Sequence, residues 1–175
     1  MRSLTGWILI MTLGLYAIPS VAGWDPKAEE KANAAIAEFK KADPGMQTFF
    51  DKAWGYVVFP TVGKGAIGIG GAYGKGVVFE KGKSIGLSSI SQLTIGFQLG
   101  GQAYREIIFF ENKAALDDFK AGHFEFGAQV SAVAVTAGAS ADADYDGGVA
   151  VFTMAKGGLM YEASVGGQKF SFTAK

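Results

Sequence analysis

One histidine and no cysteine leave this chain few groups for covalent or metal chemistry. His123 stands in Gly122-His123-Phe124-Glu125, in a turn, and no serine lies inside a G-x-S-x-G elbow that it could serve. A single imidazole without thiolates supplies too few ligands for zinc. Gly63-Lys64-Gly65-Ala66-Ile67-Gly68 fits G-x-G-x-x-G. A dinucleotide site needs a helix next, and Ile69-Gly70-Gly71-Ala72-Tyr73-Gly74 is too rich in glycine to form one. Gly82-Lys83-Ser84 ends like a phosphate-binding loop, but Val77 stands where the leading glycine belongs. Asp142, Asp144, Asp146 and Gly147 are spaced like the first half of a calcium loop. The closing bidentate Glu is replaced by Thr153, so a solvated acidic turn is the simpler reading and a weak calcium site the alternative. Glu29-Glu30 and Asp117-Asp118 fall on polar helix faces, where solvation accounts for them. The inventory predicts a non-enzymatic protein with no catalytic residue, resident metal or cofactor.

Lys64, Lys75, Lys81 and Lys83 support a different chemistry. They lie in glycine-rich segments read as turns, near Trp54, Tyr56 and Tyr73. Ammonium heads on flexible stems beside amphipathic rings suit the headgroup layer of a membrane. Lysines at turns also serve plain solubility, and that reading stands beside the first.

The elements that must carry these residues are legible from periodicity. Asp25-Pro26 is an N-cap followed by a first-turn proline. Ala28, Ala32, Ala35, Ile36 and Phe39 then form one apolar stripe, with Lys40 and Lys41 at the helix C-terminus. Asp43-Pro44-Gly45 stops this helix and caps a second, whose Met46, Phe49, Phe50 and Ala53 repeat the spacing up to Gly55. Beyond Gly55 the period changes to two. Strands are expected at 56–60, in 63–79 with a turn near Gly74-Lys75-Gly76, then at 84–89, 92–100, 105–110, 127–138, 149–154, 159–164 and 169–173. A second turn falls at 81–83 and a short helix at 112–120, with Ala115, Leu116 and Phe119 inward.

The 26 glycines are scattered through these strands. Each weakens a strand by about 0.5–1 kcal/mol, so their number signals bends or close backbone approach. The expected fold is α+β: a strongly curved, Gly-rich antiparallel sheet or small barrel. N-terminal amphipathic helices and one short mid-chain helix complete it. The domain plan is a helical part at 25–54 and a β-rich body at 55–175, within a single domain spanning 23–175.

Residues 1–22 stand apart. Arg2, the apolar run Trp7–Ile18, Pro19, and small residues at Ser20 and Ala22 have the layout of a secretory signal peptide cleaved after Ala22. The run is shorter than the roughly 20 residues a membrane span needs. Export to the periplasm, with peripheral membrane association, is the expectation. Removing Arg2 leaves 15 basic against 16 acidic side chains, which gives no basic footprint for nucleic acid. Exported without cysteine, the fold does not rely on disulfides.

From Phe49 to Phe172 the chain resembles the SYLF family, through the order of several motifs. Ala53-Trp54-Gly55-Tyr56-Val57-Val58-Phe59-Pro60 is similar to the family's apolar strand ending in proline. Lys64-Gly65-Ala66-Ile67-Gly68-Ile69-Gly70-Gly71 and Gly74-Lys75-Gly76-Val77-Val78-Phe79 follow it. Gly96-Phe97-Gln98-Leu99-Gly100 resembles the family's Gly-Phe-Gln-x-Gly, and Lys156-Gly157-Gly158-Leu159 its late Lys-Gly-Leu segment. The resemblance implies lipid binding through an N-terminal amphipathic helix, here with Ile36 and Phe39, and through basic residues. Eukaryotic members bind phosphoinositides, and some bind actin; bacterial members are small exported proteins. An exported chain meets neither, so the implied partner is a phospholipid or membrane surface of the cell envelope. A small outer-membrane β-barrel or a structural envelope protein is the alternative.

Overall fold

The computed structural model describes residues 25–67, 69–95, 102–122, 124–126, 131–156 and 165–175. The signal-peptide segment, His123 and the strand expected at 159–164 lie outside the described residues, as do 96–101 and 127–130. Helix α1 (Pro26–Ala42) starts where the cap signals place it: the Asp25 carboxylate accepts from the Lys27 N–H at 3.0 Å, and Pro26 follows. Asp43 ends α1 and caps the short 3₁₀ turn Pro44–Met46, which leads into α2 (Gln47–Lys52). Helix α3 (Lys113–Lys120) is capped by Asn112, whose side-chain oxygen accepts from the Ala115 N–H at 3.0 Å.

The strands are β1 (Gly55–Ile67), β2 (Ile69–Glu80), β3 (Lys83–Ile95), β4 (Gln102–Phe110), β5 (Val133–Ala134), β6 (Val149–Ala155) and β7 (Gln168–Ala174). Among the described residues they form one seven-stranded sheet in the order β5-β6-β4-β1-β2-β3-β7. Among the described residues the terminal strands β5 and β7 do not pair, so the sheet is open and the expected barrel option does not form. All pairings are antiparallel except β5 with β6, a two-residue parallel contact within the segment expected to alternate. The turn expected at Gly74-Lys75-Gly76 is absent, because β2 runs unbroken through it. Glycine there answers close approach instead: a Cβ at Gly76 would lie 2.6 Å from the Val58 carbonyl and from the Phe59 ring. The turn expected at 81–83 does form, with positive φ at Lys81 and Gly82.

Two apolar layers follow from strand alternation. On one face Tyr56, Val58, Val77, Phe79, Ile107, Phe109, Ala150 and Phe152 pack against Ala32, Ala35, Phe39, Met46 and Phe49 of the α1–α2 segment. On the other, Val57, Phe59, Val62, Ile90, Ile108 and Phe110 pack against Leu116 and Phe119 of α3, with Phe126, Val165 and Phe170. Pro60 sits at a register shift in β1, where the partner strands lose alignment between Val58 and Thr61. A proline in a central strand needs such a break, because it has no N–H for the ladder. The shift also resets the alternation, so Thr61 and Gly63 continue the α1 face while Val62 and Lys64 continue the α3 face.

Candidate functional site

Helix α1 is shorter than the strands beneath it, and among the described residues nothing covers the far part of that sheet face. Val77 on β2 is buried below the helix, while Lys75 and Tyr73, two and four residues earlier on the same face, are exposed. Strand pairing places Tyr73 opposite Ser91 and Ser91 opposite Lys169, with Leu93 a diagonal neighbour of Tyr73. Tyr73 is 56% exposed and Leu93 82%, the two large hydrophobic side chains left in solvent among the described residues. They border a recess of about 340 Å³ that Ser91, Gly167 and Lys169 help to line. An exposed tyrosine and leucine beside Lys75 and Lys169 form an amphipathic patch, apolar at its centre and charged at its rim, where the Lys169 ammonium lies 3.9 Å from the Glu125 carboxylate.

Towards α1 the patch runs into a cleft of about 420 Å³ between the helix and the sheet. Its walls are Ala28, Pro60, Val77 and Leu87, and Lys31, Lys75 and Asp25 also line it. A neighbouring recess of about 320 Å³ shares Lys31, Pro60 and Thr61 and adds Glu38, Arg105 and Lys156. There Arg105 pairs with Glu38 at 2.7 Å, and Lys156 donates to the Thr61 hydroxyl at 2.6 Å. A larger hollow of about 680 Å³ lies elsewhere, between α2 and the 139–145 segment, lined by Phe49, Tyr145, Asp43 and Lys52.

The residues expected at the contact surface are thus divided. Tyr73 and Lys75 share it. Trp54, Lys81 and Lys83 lie at the opposite end of the strands, around the β2–β3 turn. There the Trp54 indole donates to Glu80 at 3.0 Å and the Lys81 ammonium rests over its ring at 4.0 Å. Tyr56 is buried, its ring 5.0 Å from Phe79, and burial pushes its phenol pKa up. Phe39 is fully buried and Ile36 half-buried against the same cluster, so these two side chains of the α1 stripe pack toward the sheet. Lys64 and Lys75 are not at loop tips: both lie inside strands, and Lys64 points to the α3 face. Asp142, Asp144 and Asp146 are all exposed, and among the described residues no three acidic or His side chains converge on a possible cation position.

Lys64 faces a group the sequence reading passed over. Glu106 of β4 is fully buried, and its Oε2 accepts from the Gln168 amide at 3.0 Å. The same amide nitrogen donates to the Tyr104 hydroxyl at 3.2 Å. Burial pushes the Glu106 carboxyl up to about 8, partly offset by the Gln168 hydrogen bond and the Lys64 charge. Burial also lowers the Lys64 pKa against the pull of Glu106, and it raises Tyr104 together with the Glu106 charge. The signal available in the sequence was strand parity. Glu106 shares its face with Tyr104, Ile108 and Phe110, a position for a core residue occupied by an acid.

The fold and the patch define a class: a small α+β domain with helices on both faces of an open sheet, offering an amphipathic surface. Residues 91–175 match the family model described as Ysc84, Las17-binding protein actin regulator. Over 142 residues the chain is 31% identical to the beta cell expansion factor A of Aeromonas veronii, which covers 79% of this chain and 53% of that protein. The chain therefore spans about half the length of this curated relative. It belongs to the SYLF family, a family associated with lipid binding.

Proposed function

We propose that this chain is a non-enzymatic lipid-binding protein of the bacterial cell envelope, exported with cleavage after Ala22 and acting at the phospholipid surface. The observation that carries the reading is the exposed Tyr73–Leu93 pair, set beside Lys75 and Lys169 on the uncovered part of the α1 face. Burying a leucine fully is worth about 1.5–3 kcal/mol, and water bathes most of this one. Lysines near an anionic surface add about 1 kcal/mol each. Family membership supports the same direction. The reading includes a strongly bent sheet, supported by strands β4 and β7. They stand four places apart in the sheet order, yet Gln168 meets Glu106 at 3.0 Å. An integral barrel is not carried forward, since the sheet is open and carries helices on both faces.

The mechanism is partition without covalent change. Tyr73 and Leu93 enter the interfacial layer, the lysines meet lipid phosphates, and the cleft along α1 accepts an apolar segment. The test is flotation of the purified protein with phosphatidylcholine vesicles and with vesicles enriched in phosphatidylglycerol. The protein is expected to float with the anionic vesicles and to be released by salt. Protein that stays at the bottom of the gradient with both compositions at low salt refutes the proposal.

A further inference from the structure

The contact patch and the buried acid meet at β7. Gln168 sends its side chain inward to Glu106, while the next residue, Lys169, stands on the opposite face beside the Tyr73–Leu93 recess. The turn before Gln168 is held by two further bonds: the Gly167 N–H donates to the Phe126 carbonyl at 2.9 Å, and the Gln92 amide donates to the Gly166 carbonyl at 2.7 Å. These polar contacts inside the apolar core add to the antiparallel ladder that pairs β7 with β3 from Gln168 to Ala174, and so help to hold the strand that frames one side of the patch.

We propose that Glu106 is a proton-operated latch: as the neutral acid it fastens β7 to β4, and its ionisation releases β7 and with it the lysine side of the patch. The patch half of this proposal rests on the lipid-contact reading; the latch half does not. The geometry favours the neutral form. Glu106 Oε1, Gln168 Oε1 and Thr153 Oγ1 are buried with no hydrogen-bond partner among the described residues. Thr153 is the register partner of Glu106 on β6. A carboxylate placed there carries its charge with one donor, where an ionised carboxyl seeks several.

Among the described residues, the titratable groups facing Glu106 are Lys64 from β1 and Tyr104 from its own strand. β7 and β6 present neutral Gln168 and Thr153. Lys64 is only half-buried and loses hydration as it approaches, so it softens the penalty without removing it. Opening lets water reach the carboxylate, and the Gln168 amide then has no reason to stay inside.

Hydrogen–deuterium exchange of the purified protein tests this. Opening releases one proton between the ordinary carboxyl value of 4.5 and the buried value of about 8. After correction for intrinsic rates, protection in Gln168–Ala174 should fall on the order of fifty-fold from pH 6 to pH 8 and level off above that. Glu106→Gln should make this segment's protection independent of pH. The same pH profile in wild type and Glu106→Gln overturns the latch. So does a flat wild-type profile. If Glu106→Gln does not fold, carboxyl ¹³C titration of the wild type decides: a Glu106 midpoint near 8 supports the latch, and one near 4.5 overturns it.

Vesicle flotation from pH 6 to pH 9 separates the two halves. Binding that weakens in wild type and not in Glu106→Gln supports the coupling. Constant binding while β7 opens overturns the coupling and leaves lipid contact intact. No binding at any pH, with the exchange profile as expected, overturns the contact reading and leaves the latch.

Discussion

Glycine inside a strand normally invites replacement by alanine, which gains about 0.4–1 kcal/mol by restricting the unfolded chain. Gly76 should behave in the opposite way. A Cβ at that position lies 2.6 Å from the Val58 carbonyl oxygen and 2.6 and 2.8 Å from two carbons of the Phe59 ring. The carbonyl belongs to the central strand and the ring is fully buried, so neither can move away cheaply. Overpacking of this kind costs about 1–3 kcal/mol, which exceeds the gain from restricting the unfolded chain. Gly76→Ala is expected to lose about 1–2 kcal/mol net, or roughly 2–8 °C in Tm for a domain of this size. Gly65, on β1, is the control: nothing lies within 4 Å of its Cβ position. Gly65→Ala should fall between neutral and about 1 kcal/mol stabilising. Denaturant unfolding of both variants at one pH measures the difference. Equal Cm values would refute the claim that close approach, rather than turn formation, explains glycine in this strand.

Three other expectations follow from the same packing. Glu106 has a folded pKa raised from 4.5 to about 8, so its contribution to stability is complete below pH 4.5 and is lost as pH rises through 8. The ceiling on that loss is about 5 kcal/mol, and denaturant unfolding from pH 5 to pH 9 should show a slope in wild type that Glu106→Gln lacks. Phe119 is fully buried, with ring centroids 4.9 Å from Phe110 and 5.3 Å from Phe170; Phe119→Ala should cost about 3–5 kcal/mol in the same assay. The Asp43 carboxylate accepts from the Gly45 N–H at 3.0 Å and the buried Ser140 N–H at 2.7 Å. Asp43→Ala should cost about 1–3 kcal/mol, and amide exchange should rise at Gly45 and Ser140 together.

The helices were legible because caps and stripes are local signals. Asp25-Pro26 and Asn112 start α1 and α3 where the spacing places them, and Lys81-Gly82 turns the chain as read. Gly74 and Gly76 misled because glycine serves both turns and tight packing, and only the partner strand tells which. Lys64 and Lys75 were drawn into turns by the same error. Pro60 hides a shift in register, so simple alternation cannot place Lys64 on the α3 face. Leu93 lies in the strand expected at 92–100, and periodicity alone gives its face and not its exposure. Whether that face is covered depends on how far the 17 residues of α1 reach, which no local pattern states. Glu106 was missed because its partner Gln168 is 62 residues away and on a strand at the sheet's other side.

The chain contains no cysteine, so a single one can be introduced and labelled without background. Leu93→Cys carrying an environment-sensitive fluorophore reports directly on whether the exposed patch meets lipid. On adding anionic vesicles, its emission should shift to the blue and become shielded from an aqueous quencher. The same probe at Asp142→Cys, an exposed position outside the patch, should stay as it is in buffer. An unchanged spectrum at position 93 on vesicles that do bind the protein would contradict the account.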